Sequence, residues 1–386
     1  MRLSVPALTA GTVLAASAVF SAPPSFRVVA RNGLDLARAG ETIEVPLSSL
    51  PGLKAEDLAR LGVADAGSSR EVLSQPVDTD GDYAFDQVVF QADFGPREEK
   101  AFVLTPGQRQ PPRKEDFRVY GRFVRERFDD FAWENDLVAH RMYGAALETW
   151  QKEPLTSSTV DVWLKRTPRL VVNDWYMVDD YHRDHGEGAD FYSAGPSRGC
   201  GGSGIWSGSQ LFVSRNFRES RVLANGPLRL IFELSYLAWD AGGRKVSEKK
   251  RVTLDAGAHL NRFESTYTAE GTGEIQWAAG IKKPAGAQLR VEREQGWMRM
   301  WEAVRDGNGN QGCAVLVDPS MVVDATESGA DALIVARSPA QGPAVYHAGS
   351  TWDRGPDVKT LADWDRYLAE RAQRLRSPVR VDVSPR

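Results

Sequence analysis

The dominant pattern along the chain is a period of two. Leu228–Trp239 alternates apolar with other residues over six pairs, which predicts a long strand with one buried face. Leu260–Thr268, Trp297–Glu302 and Cys313–Val317 continue the pattern at hairpin-length intervals. Strands this long and numerous predict a mainly β chain built on a large antiparallel β-sandwich. Nearer the start, Thr42–Leu47 and Gln87–Phe94 alternate over shorter runs separated by Gly, Pro and Asp, which predicts a small N-terminal β module. Lys54–Leu61 reads as a short helix inside it. Near the end the period changes: Leu361, Trp364, Leu368, Ala372 and Leu375 fall at helical spacing and Pro378 stops the run. A C-terminal helix is therefore expected to lie across a sheet face. The polar, Pro-rich stretch Pro106–Arg113 is the best joint, dividing a module at 23–110 from a sandwich domain at 111–386.

Composition narrows the class without changing the architecture. With 386 residues, 42% hydrophobic and 26% charged, the chain is ordinary for a soluble globular protein. A sequence pI of about 5.9 and the lack of a basic patch exclude nucleic acid as a partner. Arg2 followed by the apolar, small-residue run Leu3–Phe20 predicts an export signal over residues 1–22, with Ala16-Ser17-Ala18 or Ala22 as its cleavage site. The mature chain is then expected in the periplasm or outside the cell, without a membrane span. Cys200 and Cys313 are the only cysteines; their spacing carries no signal and leaves a disulfide open, while their number excludes a zinc-ribbon site.

The chemistry concentrates in Asp174–Trp206, which holds two histidines, six acids, three tyrosines and seven glycines. No strand or helix uses that mixture, so it is expected to be a loop at a site. Tyr181, His182 and His185 lie within five residues, flanked by Asp179, Asp180, Asp184, Glu187 and Asp190. A histidine beside carboxylates suits a general base or acid; the same set suits a divalent metal. The glycines of Gly199–Gly204 would let backbone amides approach an anion, but they make no GxGxxG or P-loop pattern, so no nucleotide or organic cofactor is expected. Arg127–Gly144 (RFDDFAWENDLVAHRMYG) is a second candidate. If it forms strands, Glu134 and Asp136 share a face, as do Ala139, Arg141 and Tyr143, and Arg beside Tyr makes a carboxylate receptor. Tyr346–Asp353 ends a predicted strand and would reach the same cleft from the other side. His259, at a strand start, reads as structural. Asp78-Thr79-Asp80-Gly81-Asp82, with Asp86 beyond, has the oxygen spacing of a calcium loop or of an ordinary acidic turn.

Four stretches carry a resemblance: Phe128–Gly144, Asp180–Gly202 (DYHRDHGEGADFYSAGPSRGCGG), the Ala279-Gly280-Ile281-Lys282 turn and Tyr346–Trp352 (YHAGSTW). With them the chain resembles the bacterial family of domain of unknown function 4861, over about residues 25 to 380. The resemblance implies a sandwich like those of sugar mutarotases and some polysaccharide lyases. It also implies an exported oligosaccharide dehydratase, which removes water from a non-reducing-end uronic acid to leave a 4,5-unsaturated sugar. Such chemistry needs a cation or metal to neutralise the substrate carboxylate, a base at C5 and an acid for the leaving hydroxyl. Arg141 is the candidate for the first, His182 or His185 for the base, and Tyr181, Tyr143 or Tyr192 for the acid. Trp133 or Trp206 would stack on the sugar. Glu134, Asn135, Asp190, Arg198 and His347 complete the expected substrate-binding set. A glycoside hydrolase working through Glu134, Asp136, Glu187 or Asp190 is the alternative enzyme reading, and a non-catalytic sugar-binding protein is the third.

Overall fold

The computed structural model describes residues 24–386 except 153, 179, 271–273 and 339–341. The expected export signal and Asp179 lie outside the described residues. Among the described residues no helix is long and apolar enough to cross a membrane.

The alternating runs become strands. The widest sheet has eight antiparallel strands in the order Glu219–Asn225, Arg229–Asp240, Lys245–Asp255, Leu260–Ala269, Ala344–Trp352, Asn310–Val317, Trp297–Ala303 and Gln288–Glu292. Strand register sorts its side chains into two faces. Phe232, Val252, Phe263, Tyr346, Val315 and Met298 fall on one face and enter the main core. Arg262, His347 and Leu316 are cross-strand partners on the opposite face.

Two five-stranded sheets share the inner core with it. One runs Gln210–Phe212, Cys200–Ser207, Ile275–Lys282, Asp331–Ser338, Val322–Ser328. The other runs Gly188–Ala189, Asp161–Lys165, Ala139–Met142, Asp130–Asn135, Val119–Val124, and a Val160–Gly199 bridge joins the two. The mainly β, antiparallel fold with a C-terminal helix is as expected. That helix, Leu361–Arg376, starts on a Thr360–Asp363 capping box and lays Trp364, Leu368 and Ala372 against Leu260, Trp297, Trp301 and Leu316 of the wide sheet.

The N-terminal module is a smaller pair of sheets around Phe26, Val28, Ile43, Val45, Val88, Phe90 and Phe102. The chain's end crosses the expected boundary. Arg380–Pro385 pairs with Phe26–Arg31 as the edge strand of the module, and Val379, Val381 and Val383 pack on its core. The module thus contains both ends of the described chain.

One buried ion pair fixes the sheet that carries the candidate site. Lys165 Nζ lies 2.6 Å from Glu134 Oε2 and donates to the Asn135 carbonyl at 2.7 Å, with both charged side chains fully buried. Glu134 also accepts the backbone N–H groups of Val171 and Val172, at the start of the short helix Val172–Tyr176. Lys165→Met would leave the carboxylate buried with its amide donors alone. Losing one partner of such a pair costs on the order of 3–5 kcal/mol, so the urea midpoint should fall sharply. Adding Glu134→Gln should recover part of the loss; a double variant no more stable than Lys165→Met would count against the pair as the cause.

Candidate functional site

The site grows from the outer face of the sheet built on Asp130–Asn135, Ala139–Met142 and Asp161–Lys165. Along these strands Phe131, Trp133 and Val162 point into the core. Ala132, Ala139 and Trp163 face the other way, into a cluster with Val171, Val172 and Trp175. Asp130, Arg141 and Asp161 share that outer face, and Arg141 sits directly across from Asp161 and Ala132. Gly144 follows. A Cβ there would fall 1.7 Å from the Asp129 carbonyl oxygen, so only glycine lets the chain close against Asp129.

The segment after Lys165 folds back over this face and completes a buried polar centre. Arg141 Nε donates to Asp161 at 2.7 Å and Nη2 to Asp190 at 3.0 Å. Nη1 donates to Tyr181 Oη at 3.3 Å and lies 3.8 Å from Asp130. Tyr143 Oη donates to Asp161 at 2.8 Å. One guanidinium is thus set among three buried carboxylates. Burial, above all, raises Asp190 to about 8, with Arg141 opposing and Asp161 adding to the rise. Burial likewise raises Asp130 to about 7 against the pull of Arg141 and Arg127. Burial and the neighbouring Asp161 keep the Tyr143 phenol well above its ordinary range.

At the solvent edge of this centre His182 turns inward. Its Nδ1 is 3.0 Å from the Asp190 carbonyl oxygen and 3.4 Å from Asp190 Oδ2. A carbonyl only accepts, so Nδ1 carries the hydrogen, and in the neutral ring the lone pair is then on Nε2. Arg305, which is exposed, donates to the same Asp190 carbonyl at 3.1 Å. Tyr181 lies against His182, with ring centroids 4.4 Å apart, and the Arg127 guanidinium is 5.7 Å from the Tyr181 ring.

Arg141, Tyr143, Tyr181, His182 and Asp190 therefore come together. Several expected partners do not. Trp133 has no exposed surface: it stacks on His140 and donates to Asn261, so it offers no face to a sugar. Glu134 is held by Lys165. Asn135 accepts from the Leu137 and Val138 amides and ties the hairpin turn. Asp136 is beyond the strand end and pairs with Arg118, so it shares no strand face with Glu134. His185 is exposed, and its polar contact is the Asp180 carbonyl at 3.4 Å.

Tyr192 is buried beside the thiols of Cys200 and Cys313, which are both free. Arg198 is buried under the glycine segment, bonding Asp331, Ser158 and Pro196. The segment itself is strand Cys200–Ser207, and a Cβ at Gly201 would meet Ala348 at 2.3 Å. Its glycines serve close sheet packing rather than an anion cradle. Trp206 packs on Ala278, Leu333 and Val335, away from Arg141. Tyr346–Trp352 does complete a strand, Ala344–Trp352, but His347 alternates with the core residue Tyr346 and so falls on the far face of the wide sheet. His259 is held by Asp357 and the Ser350 carbonyl, a structural role as expected.

Sequence reasoning passed over Asp130, Asp161 and Arg305 as site residues. Asp161 did leave a signal: it is a lone acid in the apolar run Val160–Leu164. Arg305 left none, since it arrives from a separate loop. Among the described residues, Asp78, Asp80 and Asp86 bring three ligand atoms within 4.8 Å of one another. Asp78 accepts the amides of Asp80, Gly81 and Tyr83 there, as an acidic turn does.

A large antiparallel sandwich with a buried Arg–carboxylate centre under a polar loop is the class these features define. The chain belongs to the DUF4861 family, whose domain of unknown function matches residues 30–381. The "Uncharacterized protein P7" of Formosa agariphila is 32% identical over 371 residues, covering 92% of this chain and 93% of its own. Among solved structures the chain is similar to a protein in the glycosyl hydrolase family 38 from Enterococcus faecalis, at a TM-score of 0.52 and 11% identity, covering 93% of this chain and 47% of that one. It is also similar to an alpha-mannosidase from Enterococcus faecalis V583, at a TM-score of 0.49 and 10% identity, with 93% and 46% covered. The chain spans about half the length of these two solved chains, and the first likeness is one of fold.

Asp190 supplies a test of the electrostatics. With its pKa raised from 3.8 to about 8, the folded chain holds the Asp190 proton more tightly than the unfolded chain does. That contribution to stability is complete below the ordinary value and is lost as pH rises through about 8. Asp190→Asn removes it. The stability of the native protein relative to the variant should therefore fall steadily between pH 3.8 and about 8, as read from urea midpoints at stepped pH. A difference that stays constant over that window would refute the raised pKa.

Proposed function

We propose that the chain is an exported carbohydrate-active enzyme, and specifically a dehydratase that eliminates water from the non-reducing-end uronic acid of an acidic oligosaccharide. The observation that carries the reading is the shared Asp190 carbonyl: it orients His182 with Nε2 free to accept a proton and draws exposed Arg305 beside it. A base and a cation side by side suit a proton next to a carboxylate. The family resemblance supports the reaction class, and the fold shared with a protein in the glycosyl hydrolase family 38 supports sugar as the substrate class.

In this reading the substrate carboxylate sits on Arg305. Arg141 is already engaged by Asp130, Asp161 and Asp190, so its role passes from carboxylate receptor to anchor of the centre. His182 Nε2 removes the C5 proton while Arg305 offsets the charge that develops on the carboxylate. Tyr181, polarised by the Arg141 donor, delivers its phenol proton to the departing C4 hydroxyl. The C–H and C–O bonds break, the C4–C5 double bond forms and water leaves. The imidazolium and the Tyr181 phenolate that result return to their starting states by passing the one proton between them through solvent, to which His182 is exposed.

A hydrolase working through the acids first considered is less favoured. Glu134 is bound to Lys165, Asp136 to Arg118, Glu187 to Arg169 and Asp190 to Arg141, so none presents an unengaged carboxylate.

Purified protein mixed with uronate-ended oligosaccharides should raise the ultraviolet absorbance of a conjugated enoate. His182→Ala should lower the rate by about 10²–10⁴-fold while circular dichroism stays native. Reducing-end release without the absorbance rise would replace elimination by hydrolysis, and full activity in His182→Ala would remove His182 from the mechanism. Loss of activity in a chelator, restored by one divalent ion, would recast His182 as a metal ligand.

A further inference from the structure

The outer face of the wide sheet has two covers. The N-terminal module lies over one part, where Val77 and Val89 pack on Ile231 and Ala224. The C-terminal helix lies over another, through Trp364, Leu368 and Ala372. Between the covers is a cavity of about 880 Å³, with Thr253, Arg262 and His347 on its floor and Tyr367 and Arg371 on its wall.

Thr253, Arg262 and His347 stand in line across three neighbouring strands. A packed sheet face would carry apolar side chains at such positions. The acids around the cavity already have partners. Asp255 holds Arg229 by two bonds of 2.6 and 2.8 Å, Glu44 holds Arg229 at 2.6 Å and Glu41 holds Arg38 at 3.0 Å. Arg262 is paired with Glu264. Arg371 differs: it is half-buried, its Nε is out of water with no hydrogen-bond partner, and Asp255, the carboxylate that feels its charge, is bonded to Arg229 instead. Burial first, then the charges of Arg371 and Arg262, hold His347 well below its ordinary pKa, so it adds a neutral imidazole rather than a third cation.

A half-buried guanidinium whose Nε has no partner, and whose neighbouring carboxylate is bonded elsewhere, is under-satisfied. It is readily accounted for if a ligand supplies the anion, because a carboxylate or sulfate fits the guanidinium fork. The volume lies in the range of small-molecule sites, roughly 300–1,000 Å³, and exceeds what a lone inorganic ion needs. We propose that this cavity is a second binding site, separate from the His182 centre, for a small organic oxyanion, a carboxylate- or sulfate-bearing sugar, held by Arg371 over the Arg262–His347 floor. The site does not depend on turnover at His182, so it stands or falls separately from the dehydratase reading.

Calorimetric titration of the full chain at fixed ionic strength tests it, using a hexuronate, a monosulfated hexose, inorganic sulfate and uncharged glucose as probes. Saturable binding of the hexuronate, the sulfated hexose or both, with none of glucose, is expected, and the tighter of the two identifies the anion. Arg371→Gln should weaken that binding about tenfold or more, Arg371→Lys should weaken it less, and His182→Ala should leave it unchanged. Unaltered melting of Arg371→Gln would tie its loss to the site rather than to unfolding. No saturable binding of either anionic sugar, binding equal to that of inorganic sulfate, or full affinity in Arg371→Gln would overturn the proposal.

Discussion

The structure around the candidate site depends on a mismatch of charge. Arg141 brings one positive charge to a place where Asp130, Asp161 and Asp190 bring three carboxyl groups, all out of water. Burial first, and the charge of Asp161 with it, move two of the carboxyls toward neutrality against the pull of Arg141 and Arg127: Asp190 rises to about 8 and Asp130 to about 7. The cluster becomes a store of protons near neutral pH. It is also a mechanical joint, because Asp130, Arg141 and Asp161 belong to the sheet while Asp190 belongs to the overlying segment. Tyr181 and His182 are positioned from the loop side of that joint.

A second joint holds the other end of the same segment. Glu134 reaches from the sheet to the amides of Val171 and Val172, and Lys165 balances its charge. Between the two joints the described chain has a short helix, a run of turns and the two-residue strand Gly188–Ala189. Those turns are rich in glycine and acids because little of their backbone joins a sheet, and their amides donate instead to side chains such as Asp184, which accepts from Gly186 and Gly188. A polar segment fixed at both ends is how a fold dominated by strands can present His182 and Tyr181 at a defined edge.

The architecture was legible because it follows from period and punctuation. Gln87–Phe94 is a strand over just those residues, and the helix that ends at Arg376 keeps the expected apolar stripe. The site was only half legible. Alternation says which residues share a face but not which face is covered by core, so Trp133 and Asn135 look like binding groups until the sandwich buries them. Arg141 and Asp190 could be named because each sits in a motif dense with reactive groups. Asp161 and Arg305 could not be placed beside them, since they meet through cross-strand register and loop approach across long stretches of chain. The same limit applies to His347, whose strand is central to the wide sheet and whose side chain falls on the face opposite the main core.

Both outward faces of the sandwich are finished in the same manner, by a covering layer that meets charge as well as apolar surface. Over the site sheet, Trp163, Val172 and Trp175 make the dry part of the contact and Arg141 the polar part. Over the wide sheet, Trp297, Leu316 and Trp364 make the dry part while Arg262 and Arg371 border open volume. The two differ in how the charge is answered. At Arg141 the chain supplies the anions itself, in excess, and the surplus appears as raised carboxyl pKa values. At Arg371 the described chain supplies only Asp255, which Arg229 already holds by two bonds. Because burying an arginine beside an open cavity gains less from packing than an apolar side chain would, its presence there is better explained by a guest anion than by the stability of the fold.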